Sequence, residues 1–138
     1  MYIMNLTKMA YHEPRPFMTT DKIKIYGCSS EYGNPSGHSI FAAAMDTFVF
    51  LDVFYAQEDK SLPRKALWKM CHWFWLFISI SLTFLIAFAR FYVGVHTLNQ
   101  IVYGLTWGLW LSFYFHFCLR EHVMSHIDTL TERNDAQI

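Results

Sequence analysis

Three cations, two imidazoles, a hydroxyl and an amide stand in three short clusters along the chain. Lys8 and Arg15 occur in KMAYHEPRP, Ser36, Gly37 and His38 in PSGH, and Arg90, His96 and Gln100 in RFYVGVHTLNQ. These types suit the binding of a phosphoryl oxyanion and proton transfer beside it. Arginine forks match phosphate oxygens two at a time, and lysine acts as a point charge. Ser36 supplies a donor, and Gly37 lets the backbone come close. Imidazole titrates near neutrality, so one ring can be neutral while another is protonated.

Groups so far apart in sequence must be gathered by the elements between them. Three apolar stretches are candidates for that frame: Ser39–Ala56, Ala66–Phe88 and Ile101–Leu119. A bilayer core takes about 20 mostly apolar residues as helix. The second stretch has one charge, Lys69, near its start, and the third has none. The first carries Asp46 and Asp52, which must face neighbouring helices or an end of the span. Trp68, Trp73 and Trp75 gather at the start of the second stretch, as in an interfacial belt. The expected fold is all-α, a membrane bundle of about three spanning helices.

The links follow the same logic. Gln57–Lys65 is a polar turn with Pro63. Ala89–Gln100 reads as a semi-polar connection holding Arg90 and His96. Lys8–His38 is polar and contains Pro14, Pro16 and Pro35. Residues 120–138 form a polar tail after a membrane unit spanning 1–119. With this topology the motifs at Lys8–Arg15, Ser36–His38 and Arg90–His96 share one membrane face. Ser36 and Gly37 then sit at a helix N-terminus, where unpaired N–H groups favour an anion.

Composition excludes other classes. Of 138 residues, 54% are hydrophobic, 19% aromatic and only 16% charged, against about 25% charged in an ordinary soluble domain. Eleven basic and eleven acidic side chains give no net charge, so there is no electrostatic footprint for nucleic acid. Cys28, Cys71 and Cys118 form no ligand or disulfide pattern. His122 and His126 share a helix face without completing a metal site. Tyr103, Gly104 and Gly108 read as helix packing, and Glu31 and Asn34 as residues shaping the loop before PSGH.

The three motifs, in this order and spacing, resemble the signatures of the type 2 phosphatidic acid phosphatase (PAP2) superfamily. The resemblance covers residues 8–115. It implies an integral membrane phosphatase acting on a phosphate monoester or diphosphate, in many members a phosphorylated lipid, with no metal or cofactor. It makes His96 the nucleophile that forms a phosphohistidine and His38 the acid for the leaving alcohol. Lys8, Arg15, Ser36, Gly37 and Arg90 would hold the phosphoryl group. Gln100, four residues after His96, would lie on the same helical face and accept a hydrogen bond from its ring. The family commonly has Asp there. Gln resembles glucose-6-phosphatase-like and dolichyl-diphosphatase-like members. Ala89 stands where Ser is usual. Against the family's usual six spans, the chain corresponds to the C-terminal half.

Those departures support a second reading, a catalytically degenerate member serving as a scaffold or lipid-binding subunit. A third, a vanadate-binding haloperoxidase, sits poorly with the apolar spans. Lys60, Arg64, Lys65, Lys69 and Arg120 on the far face outnumber Lys22 and Lys24 on the site's face. By the positive-inside rule the site faces the lumen or exterior.

Overall fold

The computed structural model describes residues 2–24, 30–55 and 65–135. The link at 57–64, with Lys60, Pro63 and Arg64, lies outside the described residues, as do Cys28 and the side chains of Lys65, Trp68 and Lys69. Among the described residues the regular elements are all helical: α1 (Tyr2–Tyr11), α2 (Pro16–Thr19), α3 (Gly37–Tyr55), α4 (Lys65–Tyr92), α5 (Leu98–Tyr114), a π-helical turn (Phe115–Leu119) and α6 (Arg120–Asp135).

Polarity is distributed inside out. The buried polar set is Lys8, Arg15, Asn34, Ser36, Ser39, His96, Gln100 and Ser112, while Phe74, Phe77, Ile80, Phe84, Leu85 and Phe88 of α4 are exposed. A water-soluble surface does not present so large an apolar face. Gly37–Tyr55 and Cys71–Tyr92 are long and apolar enough to cross a membrane, and only 6% of the most apolar window of the latter is buried. The third apolar stretch is divided. Its α-helical part starts earlier than expected and ends at Tyr114, and the π turn carries the chain on into α6.

Small residues bring α3 and α5 together. Gly104 and Gly108, with Ser112, recur every fourth residue on one face of α5. A Cβ on Gly104 would lie 2.7 Å from the Ser36 carbonyl oxygen, and one on Gly108 would lie 2.5 Å from that of Ile40. Ser112 completes the row by donating its hydroxyl to the Ala44 carbonyl at 2.6 Å. Such rows let membrane helices pack backbone to backbone.

Both acids of the first span have partners. Thr83 of α4 donates to Asp46 at 2.6 Å. Asp52, near the end of α3, pairs with Arg120 at 3.0 Å. His72, with no partner legible in the sequence, packs edge-on against Phe54 and stands 3.3 Å from the Tyr55 hydroxyl.

Arg90 is not in a loop, as the sequence suggested. It belongs to the last turn of α4, because the apolar pattern that favours the helix runs on through Phe91 and Tyr92. The helix stops at Gly94, whose φ of +73° is costly for other residues. The Val93 and Gly94 N–H groups close the end by donating to the Ala89 and Phe91 carbonyls. The connection is therefore five residues, 93–97.

Candidate active site

Local backbone rules place each cation. Lys8 is in the last turn of α1 and is that helix's buried residue. The helix ends at His12, which adopts φ +46° and donates its N–H to the Lys8 carbonyl at 3.1 Å. Tyr11 and Tyr103 join α1 to α5 through their hydroxyls and an edge-on ring contact. Arg15 precedes Pro16, and a residue before proline is pushed to extended backbone. Its φ of −77° and ψ of 154° agree. The chain leaves α1 through the left-handed His12, is extended at Arg15 and turns into α2, and Arg15 is buried.

The Arg15 guanidinium is held by main-chain oxygens. Nε donates to the Glu31 carbonyl at 2.8 Å, and Nη1 stands 3.5 Å from both the Val95 carbonyl and His96 Nε2. Lys8 Nζ forms an ion pair with the Glu31 carboxylate. That ammonium, first, and Arg15 after it hold the Glu31 carboxyl below the usual carboxylate range. Arg90 enters from the end of α4, and its Nε is buried without a hydrogen-bond partner.

His96 and Gln100 form the centre. Nδ1 of His96 is 3.2 Å from Gln100 Oε1. The Gln100 amide orientation follows from two other partners that cannot exchange roles. The Thr97 N–H donates to Oε1 at 3.2 Å, and Nε2 donates to the Pro14 carbonyl at 3.0 Å. The oxygen therefore faces His96, Nδ1 carries the proton, and Nε2 presents its lone pair to Arg15. Burial and then the Arg15 charge push the imidazole down to about 4, against the opposing pull of hydrogen bonds to Gln100 and to the Gly33 main chain.

The sequence anticipated this pair for a different reason. His96 and Gln100 do not share a helix face, because α5 begins only at Leu98. Thr97 is its N-cap, and Gln100 folds back as the third residue of a capping box, with Thr97 Oγ1 accepting the Gln100 N–H at 3.2 Å. The returning side chain meets His96 on its way.

The PSGH segment lies against the same point. Ser36, fully buried, donates its N–H to the Gln100 carbonyl at 3.0 Å, and its hydroxyl accepts from Ser39 at 3.0 Å. The Ser36 hydroxyl proton stays free to donate, while its backbone N–H is committed. Gly37 opens α3, so its N–H belongs to the helix's unpaired first turn. A side chain there would strike Met4, whose Sδ would lie 2.4 Å from the new Cβ. His38, in that first turn, is exposed and lies within electrostatic reach of Arg90, Arg15 and Lys8. These contacts thus bring Lys8, Arg15, Ser36, His96 and Gln100 together, and His38 lies within electrostatic reach of Arg90, Arg15 and Lys8.

A sequence profile of the PAP2 superfamily matches residues 1–123 and takes in all three motifs. The chain belongs to the PAP2 superfamily. Members of the PAP2 superfamily are generally phosphatases, so a phosphatase-type function follows at that level. No curated protein and no solved structure matches the chain.

Several pairings in this site escaped the sequence reading, which took Glu31 and Asn34 only as residues shaping the loop and passed over Glu13. Glu31 pairs with Lys8 through its side chain and with Arg15 through its carbonyl. Glu13 accepts the Asn34 amide at 2.6 Å and, through its carbonyl, the Gly33 N–H at 2.8 Å. These bonds tie the loop before PSGH to the first motif. The only signal was their place in the polar stretch between motifs, which says nothing of pairing. Away from the site, His122 and His126 are exposed on α6.

Proposed function

We propose that the chain is an integral membrane phosphatase that hydrolyses a phosphate monoester or diphosphate, carried by a lipid, through a phosphohistidine. The reading rests on one observation above all: His96 Nδ1 lies 3.2 Å from Gln100 Oε1, an acceptor, while Nε2 stands 3.5 Å from the Arg15 guanidinium, an arrangement that suits a ring protonated at Nδ1 with its Nε2 lone pair available. A nucleophilic imidazole needs that state, and a guanidinium beside it suits an incoming phosphoryl oxygen. The unpartnered buried Nε of Arg90 adds a second donor that an oxyanion would satisfy.

On this reading the Nε2 lone pair attacks phosphorus, and the bond to the leaving oxygen breaks. His38, protonated, gives its proton to the leaving alkoxide. Lys8, Arg15, Arg90, the Ser36 hydroxyl and the Gly37 N–H stabilise the charge on the peripheral oxygens, the kind of contribution that is usually largest. Water then attacks phosphorus, the P–N bond breaks, His38 takes the proton from water, and orthophosphate leaves. Gln100 is a positioning residue that keeps Nδ1 protonated. The catalytic unit is residues 1–119, and the excess of basic residues on the far face directs the site to the lumen or exterior.

Phosphate release from lipid phosphates and isoprenoid diphosphates, by purified protein in detergent, tests the reading. H96A should lose turnover by about 10³-fold or more. An acid-labile, base-stable phosphoryl adduct should form on the wild type and not on H96A. Wild-type protein that releases no phosphate from any of these substrates while still binding the lipids would favour the scaffold reading, and undiminished turnover by H96A would exclude the mechanism.

A further inference from the structure

We propose that Glu31 is the resting occupant of the anion site, neutralising Lys8 when the site is empty and yielding it to a dianionic phosphoryl group. The proposal rests on the site being phosphoryl-binding. Its starting point is the asymmetry of the Lys8–Glu31 pair: the Lys8 side chain is 8% exposed and that of Glu31 61%. A buried ammonium without a counter-ion is strongly disfavoured. Lys8 cannot reach water, so its counter-ion must come to it, and Glu31 comes from the solvent side.

Arg15 is held in another way. Its Nε is fixed by the main-chain carbonyl of the same Glu31, which is neutral and part of the loop. Glu31 therefore gives one cation a permanent acceptor and the other a removable one. Releasing the carboxylate costs little desolvation, since most of its side chain is already in water. The main-chain bond to Arg15 need not change.

The consequence is selectivity by charge. A monoanion that replaces Glu31 exchanges one negative charge for another and gains nothing at Lys8. A phosphoryl dianion brings a second charge for Arg15 and Arg90 while taking over Lys8. Glu31 thus acts as a specificity-determining residue that excludes carboxylates and other monoanions from the site.

The test measures binding of inorganic phosphate and of acetate to the full-length protein in detergent, by calorimetry. Ionic strength is held constant at about pH 8, where a phosphoryl group carries two charges. E31Q and E31A, which both keep the main-chain carbonyl, should bind phosphate about threefold to tenfold more tightly than wild type, the worth of a half-exposed ion pair. Both should also acquire acetate binding that wild type lacks, and E31D should behave as wild type. Combining E31Q with K8A should erase the gain. If wild type binds no phosphate, the phosphoryl-site reading itself fails. If wild type binds phosphate and neither E31Q nor E31A binds it more tightly, Glu31 is a prop for Lys8 and the proposal is overturned.

Discussion

The Gln100 side chain touches His96 with its oxygen and the Pro14 carbonyl with its nitrogen, at 3.2 and 3.0 Å. One fully buried amide thus couples the third motif to the first. A carboxylate could serve His96 but could not donate to Pro14. Gln at this position is therefore matched to its surroundings. Gly33 belongs to the same arrangement, because a Cβ there would lie 2.6 Å from Gln100 Oε1.

Replacing Gln100 by Glu keeps the shape and removes the donor. The Pro14 carbonyl would face a carboxylate oxygen in a buried site, a loss of about 1–3 kcal/mol. The added negative charge should also raise the His96 pKa. Unfolding of Q100E in detergent and a histidine NMR titration check the two effects. An unchanged midpoint would contradict the hydrogen bond to Pro14.

Acid should weaken the fold through His96. Its pKa drops from 6.5 to about 4 on folding, so the unfolded chain binds more protons between those values. This group's contribution therefore makes stability fall as pH drops from about 6.5 to about 4, with little further change below. Unfolding midpoints of wild type and H96Q across that window should diverge in the direction of a smaller acid loss for H96Q. Parallel curves would mean that His96 is not buried as a neutral ring.

The helix contact makes a separate demand. G108A adds a methyl group 2.5 Å from the Ile40 carbonyl oxygen and 2.8 Å from the Ala43 Cβ. Neither neighbour is a flexible side chain, so α3 and α5 must separate, at about 1–3 kcal/mol. The site spans both helices, so G108A should lose phosphate binding together with stability. Phosphate titration of the folded fraction reads this directly.

The Asp52–Arg120 pair should matter less. Its side chains are 47% and 27% exposed, and such pairs are worth about 0–1 kcal/mol. R120A should shift the unfolding midpoint only slightly, and D52R combined with R120D should recover part of the loss. A large loss in R120A would show that the pair lies in a much less polar setting.

The sequence carried the site further than it carried the elements. That Lys8, Arg15, His38, Arg90 and His96 come near one another was anticipated, because their residue types and order matched one anion-binding pattern and the helices between them return the chain to the same end. The helical fold was legible because apolar runs near bilayer length admit few alternatives. The position of Arg90 in α4 was not, since apolar residues on both sides of a helix end hide the boundary that Gly94 sets by backbone geometry. Glu31 was read only as shaping its loop, because its pairing with Lys8 spans 23 residues and leaves no periodic trace. The pairing of Gln100 with His96 was foreseen, but the capping box that produces it was not.

The π turn at Phe115–Leu119 sets the phase of everything after it. There the Arg120 N–H reaches back five residues, to the Phe115 carbonyl. One residue more than an α-turn requires is taken up, and each residue rotates a helix by about 100°. Without that insertion Arg120 would point about a quarter-turn away from Asp52, and the ion pair between α6 and α3 would be lost. Deleting any one residue of 115–119 is thus equivalent to twisting the C-terminal helix on its axis, although every side chain of the site remains in place.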